Sequence, residues 1–189
     1  MKKRLIFSIA LSLIISSLAS QYILKDYFPM KNGKVNYNEI IYPDTFLTAV
    51  QLYENAKKWI DDVYIDPKTC VQIDKPDSGL IMIKSYFVIS HVRNLSNAKL
   101  WYHLKLELHE GYYRYALYNL YYQYYANMAP LPSKSSSMPF EKWCEYVLSQ
   151  NISKNKRAKR EATMINFYER IDFRVKEDIA SLKEEMNTM

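Results

Sequence analysis

Between residues 100 and 109 the chain alternates without interruption. Leu100, Tyr102, Leu104, Leu106 and Leu108 fall on one parity; Trp101, His103, Lys105, Glu107 and His109 fall on the other. Successive side chains of a strand point to opposite faces, so this run predicts a strand with one buried and one wet face. That pattern belongs to an antiparallel sheet covered on one side only.

Neighbouring strands are legible on both sides. Ile81, Ile83, Phe87 and Ile89 share a parity within 80–91, with Lys84 and Ser90 on the other. Residues 70–74 read as a short strand, and 112–120 completes a meander of four. Pro76-Asp77-Ser78-Gly79, Asn94 to Asn97 and Glu110-Gly111 supply the turns. Upstream, 35–42 is strand-like, with Val35, Tyr37 and Ile41 in phase. Between it and the meander stands the best helix signal. Thr48 and Gln51 have capping-box spacing, and Leu47 and Leu52 are placed to close the same turn as a hydrophobic staple. Ala49, Leu52, Tyr53, Ala56, Trp59, Ile60 and Val63 then form one stripe, predicting about four turns of amphipathic helix.

Downstream, 126–139 carries three prolines and four serines and reads as a loop. Phe140, Trp143, Val147 and Leu148 suggest a short helix. Ile165, Tyr168, Val175, Ile179, Leu182 and Met186 mark a longer one over about 158–186. The predicted fold is α+β in the order β-α-β(4)-α, an antiparallel sheet with its helices packed on one face.

Lys2, Lys3 and Arg4 precede a largely apolar run at 5–15 and small residues at 16–20, the layout of a secretory signal peptide. With Ser17 and Ala19 in the small-residue positions, the expected cut follows Ala19. The apolar stretch is shorter than the roughly 20 residues needed to cross a bilayer. No second candidate span follows, and no cysteine near residue 20 would carry a lipid. Residues 20–189 are thus expected to form one exported domain, periplasmic, associated with the outer membrane, or secreted. Without residues 1–19 the charge falls from +6 to +3, because three of the 26 basic residues lie in that segment. A charge of +3 speaks to solubility and gives no support to a nucleic-acid partner.

Other chemistries find little support. The chain has three glycines, Gly33, Gly79 and Gly111, each placed as a turn residue, so no phosphate-cradling loop and no nucleotide cofactor is expected. Export would permit Cys70 and Cys144 to pair, and their spacing leaves that open while excluding paired zinc motifs. Glu107 and His109 would lie about 7 Å apart on a wet strand face, whereas His103 and His109 would be about 20 Å apart. A solvated sheet face is the simpler reading, and no metal is expected. No serine sits in a glycine-flanked elbow, and neither cysteine has a histidine nearby in sequence, so no catalytic residue is proposed. Lys154, Lys156, Arg157, Lys159 and Arg160 form one basic cluster, best read as a solvated helix face.

Eight tyrosines fall between 112 and 125. Tyrosine suits pleated, half-buried surfaces on either face of a strand. Its ring with a polar tip also suits stacking on a sugar or a protein partner. Tyr112, Tyr118, Tyr121, Tyr122, Tyr124 and Tyr125 are therefore the candidate binding surface.

Several segments also resemble a known family. These are Phe28-Pro29-Met30-Lys31-Asn32-Gly33-Lys34-Val35, the helix bearing Leu52, Tyr53, Ala56 and Trp59, Asp77-Ser78-Gly79 with its isoleucine-rich strand, and 111–120. Residues 179–186 resemble that family's closing helix. The family comprises exported proteins common in Bacteroidetes, domain of unknown function 4468, described as TBP-like. Over 28–120 the resemblance implies that fold and is silent about function. The sequence thus points to a non-catalytic binding domain of the bacterial cell envelope with a protein or glycan partner. The alternative is a cell-envelope hydrolase with a dispersed active site.

Overall fold

The computed structural model describes residues 24–89, 98–125, 135–149 and 153–188. The segment expected to be a signal peptide, the turn at 94–97, Ser90 and His91 lie outside them.

A two-residue strand β1 (Met30–Lys31) folds back onto β2 (Lys34–Ile41). Helix α1 (Ala49–Val63) follows, then the short α2 (Pro67–Cys70). Strands β3 (Val71–Lys75), β4 (Leu80–Ile89), β5 (Ala98–His109) and β6 (Tyr112–Tyr125) form the antiparallel meander. β7 (Ser135–Pro139), α3 (Phe140–Ser149) and the long α4 (Lys154–Glu185) complete the described chain. The sheet order is β1-β2-β6-β5-β4-β3. β7 pairs with the far half of β6, end to end with β2 along the edge away from β5.

Local chemistry accounts for the first helix. Thr48 Oγ1 accepts from the Gln51 backbone N–H at 3.2 Å, while Gln51 Oε1 accepts from the Thr48 N–H at 2.9 Å. Such a box satisfies two orphan donors and contributes about 1 kcal/mol. Leu47, Leu52, Ala56, Trp59 and Ile60 are buried, each large apolar side chain worth about 1.5–3 kcal/mol of transfer free energy. Helices α1 and α4 pack together over one face of the sheet, where Trp59 Nε1 donates to Ser181 Oγ at 3.0 Å. Against them lie the inward parity of β5 (Leu100, Tyr102, Leu104, Leu106, Leu108) and Ile81, Ile83, Val35 and Tyr37. Tyr168, Ile171, Val175, Ile179, Leu182 and Met186 form the buried stripe of α4, whereas Ile165 is exposed.

Some elements differ from the sequence reading. β3 begins at Val71, and Cys70 instead ends α2, a helix started by the Asp66 side chain accepting from Thr69 N and by Pro67 in its first turn. The stretch expected to be loop through 139 contains β7, because the far half of β6 offers it a free edge. β6 itself extends past Leu120 to Tyr125. Both cysteines are free thiols, Cys144 buried and Cys70 half-buried.

The sharpest departure is inside β6. Trp101 faces Tyr121 and His103 faces Tyr118, so β6 spends one more residue than β5 over this interval. Asn119 takes the left-handed conformation there, φ 61°. A bulge of this kind reverses the parity of everything beyond it. Tyr113, Tyr115 and Leu117 point into the core before it; Leu120 and Tyr122 do so after it. At the same junction, where β2 stops and β7 has yet to start, buried Glu141 Oε1 accepts from the Val35 N–H at 2.9 Å. Among the described residues no helix is long and apolar enough to cross a membrane.

Candidate functional site

The face of the sheet turned away from the helices carries side chains in rows running across the strands. Tyr86 on β4 pairs with Trp101 on β5, and Trp101 pairs with Tyr121 on β6. Lys84, His103 and Tyr118 form the next row, with Val88, Lys99, Gln123 and Ser137 on the other side. Trp101 thus sits at the centre of an aromatic row three strands wide. The Tyr86 and Trp101 ring centroids are 4.7 Å apart at 54°. Tyr86 and Tyr121 are 39% and 37% exposed, which sets them apart from the buried tyrosines of the same sheet.

A depression of about 470 Å³ opens over this row, lined by Trp101, Tyr121, Lys84, His103, Asn119, Gln123 and Ser137. Its polar groups are already oriented. Trp101 Nε1 donates to Gln123 Oε1 at 2.6 Å, which turns the Gln123 amide N–H groups outward. Asn119 Nδ2 lies 3.2 Å from His103 Nδ1. With the amide as donor, the ring carries its proton on Nε2. Partial burial first, and then the Lys84 ammonium, hold the His103 pKa below the ordinary imidazole value, so this ring is neutral at pH 7. Lys84 and Lys99 lie over aromatic rings: Lys99 Nζ is 3.9 Å from the Tyr86 centroid, and Lys84 Nζ is 5.4 Å from that of Trp101.

The lower part of the same face is different. Lys105 Nζ reaches Glu107 Oε1 at 2.7 Å, and Arg114 Nη1 approaches the other oxygen at 3.9 Å. The Lys105 hydrogen bond chiefly holds the Glu107 pKa below the usual carboxylate value. His109 stacks on Tyr112 at 4.7 Å, and Tyr112 meets Tyr42 at 5.7 Å. Glu107 is thus committed to cations and His109 to a ring. Among the described residues no three His, Cys, Asp or Glu side chains gather as metal ligands would.

The candidate tyrosines divide. Tyr121 lies in the depression, Tyr118 stacks on His103 at 5.9 Å beside it, and Tyr112 belongs to the lower aromatic ladder. Tyr122 is a correction: it is 1% exposed and stacks on Trp143 at 4.1 Å inside the core. The bulge at Asn119 put it there. The side chains of Tyr124 and Tyr125 lie outside the described ones. Sequence reasoning missed Trp101, Tyr86, Gln123 and Ser137. One signal was present, since Trp101 is a large aromatic on the wet parity of a clean alternation. In the basic cluster, Lys156, Arg157 and Lys159 are exposed and Arg157 pairs with Glu161 at 3.1 Å, as a solvated helix face would. Arg160 instead reaches the Val147 carbonyl at 3.3 Å.

A second concavity, about 500 Å³, lies between β4 and α4, where Phe87 and Val88 face Phe167, Ile171 and Phe173. It is mainly apolar, and its Arg174 is engaged with Glu177 and Asp178.

Comparison with known proteins agrees with this architecture. Residues 37–123 match the model of the domain of unknown function DUF4468 with TBP-like fold. A TBP-like protein from Parabacteroides distasonis superposes with a TM-score of 0.54 at 17% identity, covering 85% of this chain and 97% of that one. A DUF4468 family protein from Bacteroides ovatus gives 0.50 at 18% identity, covering 83% and 90%. At such identities the likeness concerns the fold alone. No curated protein matches the chain. The matched segment runs from the middle of β2 to the far half of β6 and so contains α1, β3 to β5, most of β6 and the whole aromatic row. Over residues 37–123, then, the chain is similar to the DUF4468 domain, and its architecture is TBP-like.

Proposed function

We propose that this protein is a non-catalytic binding domain, exported to the cell envelope, that receives its partner on the uncovered face of the sheet. The observation that carries the reading is the row Tyr86–Trp101–Tyr121, half-exposed rings of which Trp101 and Tyr121 line a depression rimmed by amide and hydroxyl groups. Aromatic faces supply contact area at low entropic cost, and neighbouring amides fix orientation. The layout of residues 1–20 supports export. A hydrolase would need convergent ionisable groups, and among the described residues the lining of this depression contains no carboxylate.

Co-sedimentation of the purified chain with insoluble cell-envelope material tests the reading. The wild type is expected to bind. Trp101→Ala with Tyr121→Ala should reduce binding by about tenfold or more, as loss of stacking platforms does. Tyr146→Ala, exposed on α3 away from this face, should bind as the wild type does. Equal binding by all three proteins would place the contact on another surface.

A further inference from the structure

The two ends of the open face handle charge differently. Lys105 and Arg114 share Glu107. Lys84 and Lys99, by contrast, have no carboxylate within 4 Å among the described residues, and their ammonium groups are set over the rings of Trp101 and Tyr86. Both lie within 6 Å of the one indole, at 5.4 and 5.8 Å. Two unneutralised cations flank a single aromatic platform, and the depression that Lys84 lines offers Gln123 N–H groups and the Ser137 hydroxyl with no protein partner among the described residues.

We infer that this depression binds an acidic saccharide, a sugar ring carrying a carboxylate or sulfate. The ring's C–H face would lie on Trp101 and Tyr121, and its anion between Lys84 and Lys99. The inference rests on the open-face reading above and names the ligand for it. Charge complementarity selects an anion, since Lys84 in the lining and Lys99 over the adjoining ring of Tyr86 are cations and the other polar lining groups are neutral. The spacing favours one charged ring over a polynucleotide. A nucleic acid carries a charge on every residue and is held along a continuous cationic track. Here the cations further along the sheet are neutralised by Glu107, so the positive patch is about as wide as a single aromatic platform.

The experiment is a titration of the purified chain with polygalacturonate, dextran, poly-glutamate and oligo(dT), read by tryptophan emission. Of the three tryptophans, Trp59 and Trp143 are 2% and 4% exposed, so Trp101 on the open face dominates any ligand response. Polygalacturonate is expected to perturb the emission and dextran to do so far more weakly. Lys84→Gln with Lys99→Gln should weaken polygalacturonate binding about tenfold, the scale of two exposed ion pairs, with Lys105→Gln unchanged. Added salt should weaken the wild type and barely affect the double variant.

Equal binding of dextran would overturn the requirement for an anion while leaving the aromatic face as a contact surface. Tighter binding of poly-glutamate or oligo(dT) would overturn the saccharide. If none of the four bound, the acidic-saccharide inference would fall, and the envelope sedimentation assay would judge the open-face reading on its own. Wild-type far-UV circular dichroism in the lysine variants separates lost binding from lost folding.

Discussion

The hydroxyl of Tyr37 donates to Asp172 Oδ1 at 2.7 Å, tying β2 to the middle of α4 across 135 residues of chain. Tyr113, buried on the neighbouring strand, has a hydroxyl with no hydrogen-bond partner among the described residues. Burial raises both phenol pKa values, and for Tyr37 the Asp172 contact raises it further. Two rings of one kind on one sheet face therefore differ in a single bond.

Their substitutions should separate accordingly. Tyr37→Phe leaves a carboxylate short of a donor and is expected to cost about 1–2 kcal/mol. Tyr113→Phe removes an unsatisfied polar atom and should be neutral or slightly stabilising. Urea midpoints of the two variants decide this. Equal losses would mean that the Tyr113 hydroxyl has a partner in solution.

Of the three glycines, Gly79 is the one least able to accept a side chain. Its φ is +59°, and a Cβ there would lie 2.2 Å from the Leu108 carbonyl oxygen, while the Leu108 N–H donates to the Gly79 carbonyl at 2.8 Å. Gly79→Ala is expected to cost several kcal/mol, about 3 or more, because the neighbour is backbone and cannot step aside. Asn119→Ala, in the left-handed conformation with a lost contact to His103, should cost about 1–2 kcal/mol. Thermal melts that left Gly79→Ala unchanged would contradict the tight β3–β4 entry.

His103 gives a pH signature of definite sign. Its folded pKa lies below its unfolded value of about 6.5. The unfolded chain therefore binds the proton more readily in that window. The corresponding stability is fully present above about pH 6.5 and is lost as pH falls through the lowered folded pKa. His103→Gln should flatten this part of the stability profile. An unchanged slope in the variant would assign it to another group.

The thiols should also differ. Cys144 is fully buried, and burial pushes its thiol pKa up, whereas Cys70 is half-buried. An aromatic disulfide reagent at neutral pH is expected to titrate one thiol in the native protein and two in urea. Detection of no thiol in either state would show that the cysteines pair.

How far the sequence could be followed depended on how unlike the two faces of each strand are. In β5, Leu and Tyr alternate with Lys, Glu and His, and from 100 to 109 every side chain lies where its parity placed it. The capping box of α1 is a local device and formed as read. β6 was harder. Tyrosine is at home on either face, so the change of parity at Asn119 leaves no mark in composition, and nothing in the sequence separates buried Tyr122 from half-exposed Tyr121. β7 is serine-rich and becomes a strand only because β6 gives it hydrogen-bonding partners. The site itself unites Lys84, Trp101, Tyr121 and Ser137 from four strands. Their chemistry was visible singly, but the register that makes them neighbours exists only in the folded sheet.

The extra residue at Asn119 also gives β6 two reading frames. Deleting it would leave the strand the same tyrosines while sending Tyr121 toward the hydrophobic interior and the ring now stacked on Trp143 out to solvent. The platform and the core are thus written in the same six letters, Tyr118 through Gln123, and told apart by one spacer. Lengths, more than identities, are what mutation can least afford to alter in this stretch.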